Sequence, residues 1–168
     1  MSDKELSEQE KIKKVGELIQ DVKVCMMTSV APDGSMHSRP MWTQEAEFDG
    51  KLWFFTSKGS EKAMQVQANP QVNLGYAKTG DNTYVSVSGK GHLSFDKAKM
   101  KELWNPFMKA WFEGGLEDPD LALLHIHVES AEYWDNPNSK LYTLISFVKA
   151  SLTGETAKLG ENERVQVS

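Results

Sequence analysis

The chain has 168 residues, a length that suits one domain able to bury a sizeable core. Hydrophobic residues make up 39% and charged residues 26%, an ordinary globular balance. The net charge of -5 excludes a nucleic-acid binder relying on a general positive field, while leaving room for a small anion held by two or three local cations. The single cysteine, Cys25, excludes an intramolecular disulfide. Cys25 lies in an apolar run and reads as a small buried hydrophobe. No stretch approaches the ~20 apolar residues of a membrane span, and the polar Met-Ser-Asp-Lys-Glu start lacks an apolar signal core. A cytoplasmic protein without membrane or nucleic-acid partners is the expectation.

In chain order, the first element is a helix over residues 1–21. Ser7 and Glu10 form a capping box, and Ile12, Val15 and Ile19 recur at helical spacing. Three strand-like runs follow. In 22–30, Val22, Val24, Met26 and Val30 alternate with Lys23, Cys25 and Ser29. Pro32-Asp33-Gly34 turns the chain into 35–44, predicting a hairpin, and Pro40 inside that run marks an edge strand or a bulge. Asp49-Gly50 predicts a second hairpin into Lys51–Ser57, so the three runs read as a meander. Ser60 caps a short helix to about Ala68, which Asn69-Pro70 stops. Val72, Leu74 and Tyr76 alternate in a fourth strand. Thr83–Ser94 is a fifth, and its Gly89-Lys90-Gly91 suggests a bulge.

Asp96 caps a helix through about Trp104, and a second short helix spans 107–112. Residues 121–134 form a long strand. Helical spacing of Leu141, Leu144, Ile145 and Val148 predicts a helix over 140–152, and the tail from 155 reads as polar and frayed. Six strands with turn-length connections and inserted helices predict a mainly β fold, a closed or partly closed antiparallel barrel spanning 22–135 within one domain, 1–168. Doubly wound α/β is disfavoured because regular strand–helix alternation is missing.

Phosphate-loop, dinucleotide and nucleophile-elbow signatures are absent. His125 and His127 share a strand face, but no third ligand is near in sequence and no cysteine pair exists. They read as partly buried, hydrogen-bonded histidines rather than a metal site.

The span 36–62 is more informative. His37, Arg39, Met41 and Thr43 share one strand face. Thr56 and Ser57 end the next strand, and Ser60-Glu61-Lys62 begins a helix. An arginine, strand-end hydroxyls and a lysine in a first helical turn suit a phosphate, beside free N–H groups and the positive dipole end. A surface arginine and a solvated lysine are the alternative reading. Lys62 is oddly placed for that, because the first turn prefers acids. Trp134, closing the long strand, either stacks on a flat ring or caps the core. Trp42, Trp53, Trp104 and Trp111 read as core or interface residues.

These segments, in this order, resemble the pyridoxamine 5′-phosphate oxidase-like flavin split barrels, and most of all their bacterial general stress protein branch. The matching stretches are Ser38-Arg39-Pro40-Met41, Leu52 to Ser57, Ser60-Glu61-Lys62, Asn69-Pro70-Gln71-Val72 and Val87-Ser88-Gly89. They continue with Trp104-Asn105-Pro106 to Trp111-Phe112, Asp118-Pro119-Asp120-Leu121, Ala131 to Asp135, and Leu159-Gly160-Glu161-Asn162. The resemblance implies a six-stranded antiparallel split β-barrel of Greek-key type. It also implies a homodimer with FMN, or else FAD, at the subunit interface.

By position in the motifs, Arg39, Ser60 and Lys62 correspond to the phosphate site. Pro40, Met41 and Trp42 correspond to the strand beside the isoalloxazine ring. Phe55, Thr56 and Ser57 correspond to next-strand contacts, and Trp134 to an aromatic residue reaching the flavin from the partner. Gln44 stands where the true vitamin oxidases carry a lysine that holds substrate phosphate. Their arginine- and histidine-bearing C-terminal segment is also missing. The resemblance therefore implies a flavin site without a pyridoxamine site. An oxidoreductase, a flavin-storing or redox-sensing stress protein, and a deazaflavin or haem barrel remain as function classes. No side chain stands out as a catalytic acid or base.

Overall fold

The computed structural model describes residues 6–135 and 161–168. Its first element is α1 (Glu8–Val22). Both halves of the Ser7–Glu10 capping box are formed, the Ser7 hydroxyl accepting from the Glu10 N–H and the Glu10 carboxylate accepting from the Ser7 N–H. The helix ends at Lys23, whose left-handed backbone (φ 66°) turns the chain into the first strand.

Seven strands follow among the described residues: β1 (Val24–Val30), β2 (Met36–Trp42), β3 (Lys51–Ser57), β4 (Gln71–Lys78), β5 (Thr83–Ser94), β6 (Leu121–Asp135) and β7 (Glu161–Gln166). They form one antiparallel sheet in the order β2-β1-β4-β5-β6-β3, with β7 added to β6. The sheet curls into a split barrel, the mainly β fold expected. Beyond its two paired strand ends, the Gln44 N–H donates to the Trp53 carbonyl at 2.9 Å and brings the β2 and β3 sides together.

Two sequence expectations fail here. The 35–44 and 51–57 runs are not a hairpin: β3 pairs along its whole length with β6. The Asp49-Gly50 turn is real, with Gly50 at φ +94° and the Asp49 carboxylate accepting from the Lys51 N–H. Its local geometry did not decide which strand β3 would join. The end of the chain is also not a frayed tail: the six-strand path is as expected, and among the described residues β7 is added to it beside β6. Val165 is fully buried, and Lys11 of α1 reaches the Glu163 carboxylate at 3.1 Å. The expected helix over 140–152 lies outside the described residues.

The main core gathers Met27, Leu74, Tyr76, Val87, Leu124, Ile126 and Tyr133 from the strands with Val15 and Ile19 of α1. Helix α2 (Glu61–Ala68), capped by Ser60, packs Val66 against β5 where Gly91 leaves room. A Cβ on Gly91 would lie 2.7 Å from Val66 Cγ1. Helix α3 (Lys97–Leu103), capped by Asp96, and a 3-10 turn over Pro106–Ala110 cover the outside of β3 and β6, burying Phe55, Leu121 and Leu123. That turn replaces the second short helix expected over 107–112.

In β1 the inward residues are Cys25, Met27 and Ser29, while Val24 and Met26 face outward, 42% and 47% exposed. The run is apolar on both faces, so alternation alone could not choose the buried one. Cys25 is buried as expected, and burial pushes its thiol up to about 12. Native protein at pH 8 should therefore resist a thiol reagent that labels one equivalent after unfolding in guanidinium, because the thiolate is the reacting form. Rapid labelling of the folded protein would contradict this burial.

Candidate functional site

The cleft lies where the sheet splits, between β2 and the outside of β3. Val24, Pro40, Met41, Trp42, Gln44, Phe55, Lys62, Met108, Trp111 and Phe112 enclose about 360 Å³. A second hollow of about 660 Å³ adjoins it, sharing Trp42, Gln44, Met108 and Trp111. The walls are aromatic and aliphatic, with Lys62 the sole ionisable side chain among the described residues that line the first cleft.

Strand β2 supplies one wall by its pleat. Pro40 and Trp42 face outward, whereas Arg39 and Met41 point the other way, toward α2 and the core. The Arg39 guanidinium donates to the Ser29 hydroxyl at 2.5 Å and to the Gln65 side-chain oxygen at 3.3 Å. Gln65 in turn donates to Glu61, which also contacts His37 at 2.9 Å. Arg39 is thus positioned by neutral groups on β1 and α2, and its burial lowers its pKa.

Lys62 is half-buried. Its pKa is lowered, first by burial and then by the charge of Arg39. Two cations therefore sit close enough to repel one another. No ion pair to a carboxylate is formed by either among the described residues. The Glu61 charge acts on Arg39 in the opposite direction, but burial outweighs it, so the two cations still favour a bound anion.

The hydroxyls expected beside these cations are present. Thr56 is buried, with its hydroxyl 3.2 Å from that of Ser60. Ser60 caps α2 by accepting from the Ala63 N–H, and its own N–H donates to the Ser57 carbonyl. The first turn of α2 thus stands beside Arg39 and Lys62, a favourable setting for phosphate oxygens. The structure brings Arg39, Pro40, Met41, Trp42, Phe55, Thr56, Ser57, Ser60 and Lys62 to one edge of the barrel.

Trp134 is not among them. It lies directly opposite Tyr84 on the outward sheet face, four places from β2 in the strand order, and lines neither hollow. Trp111, read from sequence as core or interface, is 65% exposed and closes the cleft with Trp42, their ring centroids 6.4 Å apart. Met108 and Phe112 were missed as cleft residues. The 3-10 turn that holds Met108 and leads into Phe112 has no helical or strand period that would reveal a face. Gln44 is buried, donates to the Trp42 carbonyl at 3.1 Å and lies 3.8 Å from the Met108 sulfur.

The histidine expectation is corrected in part. His125 is half-buried, but its Nδ1 has no hydrogen-bond partner among the described residues, and His127 is exposed rather than partly buried.

A family model described as pyridoxamine 5′-phosphate oxidase like matches residues 10–158. A crystal structure from Jannaschia sp. CCS1, assigned to general stress protein 26, is 30% identical over 91% of this chain and 96% of its own, with a TM-score of 0.74. The general stress FMN/FAD binding protein from Xanthomonas citri is 32% identical over 78% of this chain and 92% of its own, with a TM-score of 0.67. Protein bli-3 of Neurospora crassa is 24% identical over 95% of this chain and 81% of its own. Among the described residues, no helix is long and apolar enough to cross a membrane.

Proposed function

Since the chain belongs to the pyridoxamine 5′-phosphate oxidase-like family, we propose that it is an FMN-binding protein of the general stress type and a flavin-dependent oxidoreductase. The observation that carries this reading is the pair of neighbouring cations, Arg39 and Lys62, beside the first turn of α2 and free of carboxylate ion pairs among the described residues. A flavin phosphate offsets their repulsion, accepts from the helix N–H groups, and leaves the flat ring to the apolar cleft along Pro40, Met41 and Trp42. Likeness to a protein described as FMN/FAD binding supports the same reading. FAD is accommodated only if the open mouth takes a second nucleotide half.

When bound, the flavin supplies the hydride and electron chemistry. The chain's residues bind it, orient its ring and exclude water. Among the described residues, none lining the cleft offers a carboxylate or imidazole as a proton donor. This favours either an outer-face reaction with a small acceptor or, as a second reading, a flavin-holding stress protein without rapid turnover. Identifying the chromophore released from natively purified protein tests the cofactor. FMN in near-stoichiometric amount supports the proposal, and haem or no chromophore with no affinity for added FMN overturns it. Nicotinamide-driven turnover across an acceptor panel then separates enzyme from flavin-holding protein.

The site also calls for a second copy. Trp42, Val24, Met26, Tyr84 and Trp134 expose an apolar face running across β2, β1, β5 and β6, each residue 38% to 48% exposed. An apolar face of this kind fits burial against another chain. A twofold copy laid on it can carry Trp134, which does not line the cleft of its own chain, to the neighbour's cleft. Light scattering should report a dimer, and Trp134→Ala should weaken FMN binding although Trp134 does not line its own cleft. A monomer that binds FMN with unchanged affinity would refute the shared site.

Pyridoxamine 5′-phosphate is not expected as substrate. With Gln44 buried and engaged with the Trp42 carbonyl, no second cation pair among the described residues stands ready for a substrate phosphate in the cleft. Purified, flavin-loaded protein should give no steady formation of pyridoxal 5′-phosphate by absorbance.

A further inference from the structure

Beyond its bulge, the outward face of β5 and β6 carries a cluster that the flavin reading leaves unused. His92 lies directly opposite His125 across the β5–β6 ladder. His127 stands two residues further along β6 on the face of His125. The ring centroids of His92 and His125 are 5.5 Å apart, those of His92 and His127 5.5 Å, and those of His125 and His127 5.1 Å. Each imidazole therefore neighbours both others.

These separations have a chemical meaning. Zinc holds imidazole nitrogens at about 2.0–2.1 Å, which puts each ring centroid roughly 3.2 Å from the metal. At a tetrahedral angle, two such centroids lie about 5.2 Å apart. The three observed separations cluster around that value. The ring of His125 is braced on one side by Trp53, stacked at 5.0 Å and 28°, and the Lys99 ammonium lies over the Trp53 ring. His125 Nδ1, buried and unbonded, is a polar atom whose desolvation nothing else among the described residues offsets.

We propose that His92, His125 and His127 form a three-histidine site for a divalent transition metal of the zinc, copper or nickel type, with a fourth position open to solvent. The third ligand, absent from the sequence around His125 and His127, is delivered by the neighbouring strand. As the side chains stand, no three donor atoms among the described residues already converge on one point. Closing the site requires ring rotations, which the exposed His92 and His127 have room to make.

With nitrogen ligands alone, the cluster selects against magnesium and calcium, which prefer oxygen. Lys51 and Lys90, each paired across a ladder with His127, place positive charge nearby and limit the affinity. The Lys90 charge is partly offset by Glu129 at 3.3 Å. None of the three histidines lines the flavin cleft.

The test is titration of tag-free, chelator-treated full-length protein with zinc chloride by calorimetry, and with cobalt by visible absorption. The expected result is one zinc per chain with a Kd of about 10 μM or tighter, and a cobalt spectrum of tetrahedral intensity. His92→Gln and His127→Gln should each weaken zinc binding at least tenfold, with the metal-free melting temperature and the FMN titration unchanged. Absence of saturable binding below millimolar zinc overturns the proposal. So does binding that both variants retain, which would place the metal elsewhere.

Discussion

Lys62→Ala should raise the Kd for FMN tenfold or more, and Arg39→Ala should do the same, both read by quenching of flavin fluorescence on titration into apoprotein. A charge-assisted contact to phosphate contributes on the order of 1.5–3 kcal/mol, and each 1.4 kcal/mol is a factor of ten. The two variants differ in what else they disturb. Arg39 donates to Ser29 and Gln65, so its removal strips partners from two buried groups and should also lower stability by about 1 kcal/mol.

Lys62 is half-buried beside a like charge and makes no hydrogen bond or ion pair among the described residues to compensate. Its removal relieves repulsion. Lys62→Ala apoprotein should melt no lower than the parent, so its lost FMN affinity cannot be blamed on unfolding. The double variant should fall short of the sum, because each cation is more strained in the other's presence. Unchanged FMN titrations for both single variants would remove the phosphate site altogether.

Much of this site could be read from the residues before any fold was known. Arg39 on a strand and Lys62 one turn into a capped helix are local statements, and period and capping chemistry suffice for them. Their proximity is not local. It depends on α2 packing against β5 at Gly91 and on Gln65 meeting Arg39 across the gap to β2. The same limit explains the misread hairpin. Asp49-Gly50 specifies a turn, but the partner of β3 is set by closure of the whole sheet, in which β6 is long enough to serve β5, β3 and β7 together.

Strand β7 was illegible because its apolar signal is Val165 alternating with charged neighbours, too sparse to distinguish from a solvated tail. Met108 sits on, and Trp111 caps, a 3-10 turn whose sequence has no period to expose a face. The histidine cluster was legible by two-thirds, since His125 and His127 share a strand period while His92 joins them only through strand pairing.

Gly89→Ala should lower the unfolding free energy by about 3 kcal/mol, measured by chemical denaturation, an effect on the fold as large as the cation variants have on binding. At Gly89 the β5–β6 register shifts: Ser88 faces Ser130 and Gly89 faces Val128, so Glu129 is the extra residue. The bulge brings the β6 backbone so close that a Cβ on Gly89 would lie 2.2 Å from the His127 carbonyl oxygen. Backbone cannot swing aside as a flexible side chain can. Relief requires moving β6 or β5, and Ile126, 3.1 Å from the same Cβ position, lies in the fully buried core.

Gly75 provides the control on the neighbouring strand. Its Cβ would meet nothing closer than the Met26 carbonyl oxygen at 3.9 Å, so Gly75→Ala should change monomer stability by less than about 1 kcal/mol. Its outward position nonetheless puts an added methyl on the face proposed to meet a second chain. If Gly89→Ala matched Gly75→Ala in stability, the close approach at the bulge would be wrong. The bulge also switches which residues of β6 face outward, from Trp134, Glu132 and Ser130 on one side of it to His127 and His125 on the other, so the Tyr84–Trp134 pair and the three histidines share the outward face. A protein that tolerated Gly89→Ala by shifting register would misplace Trp134 and disperse the histidines, losing both sites through one methyl group.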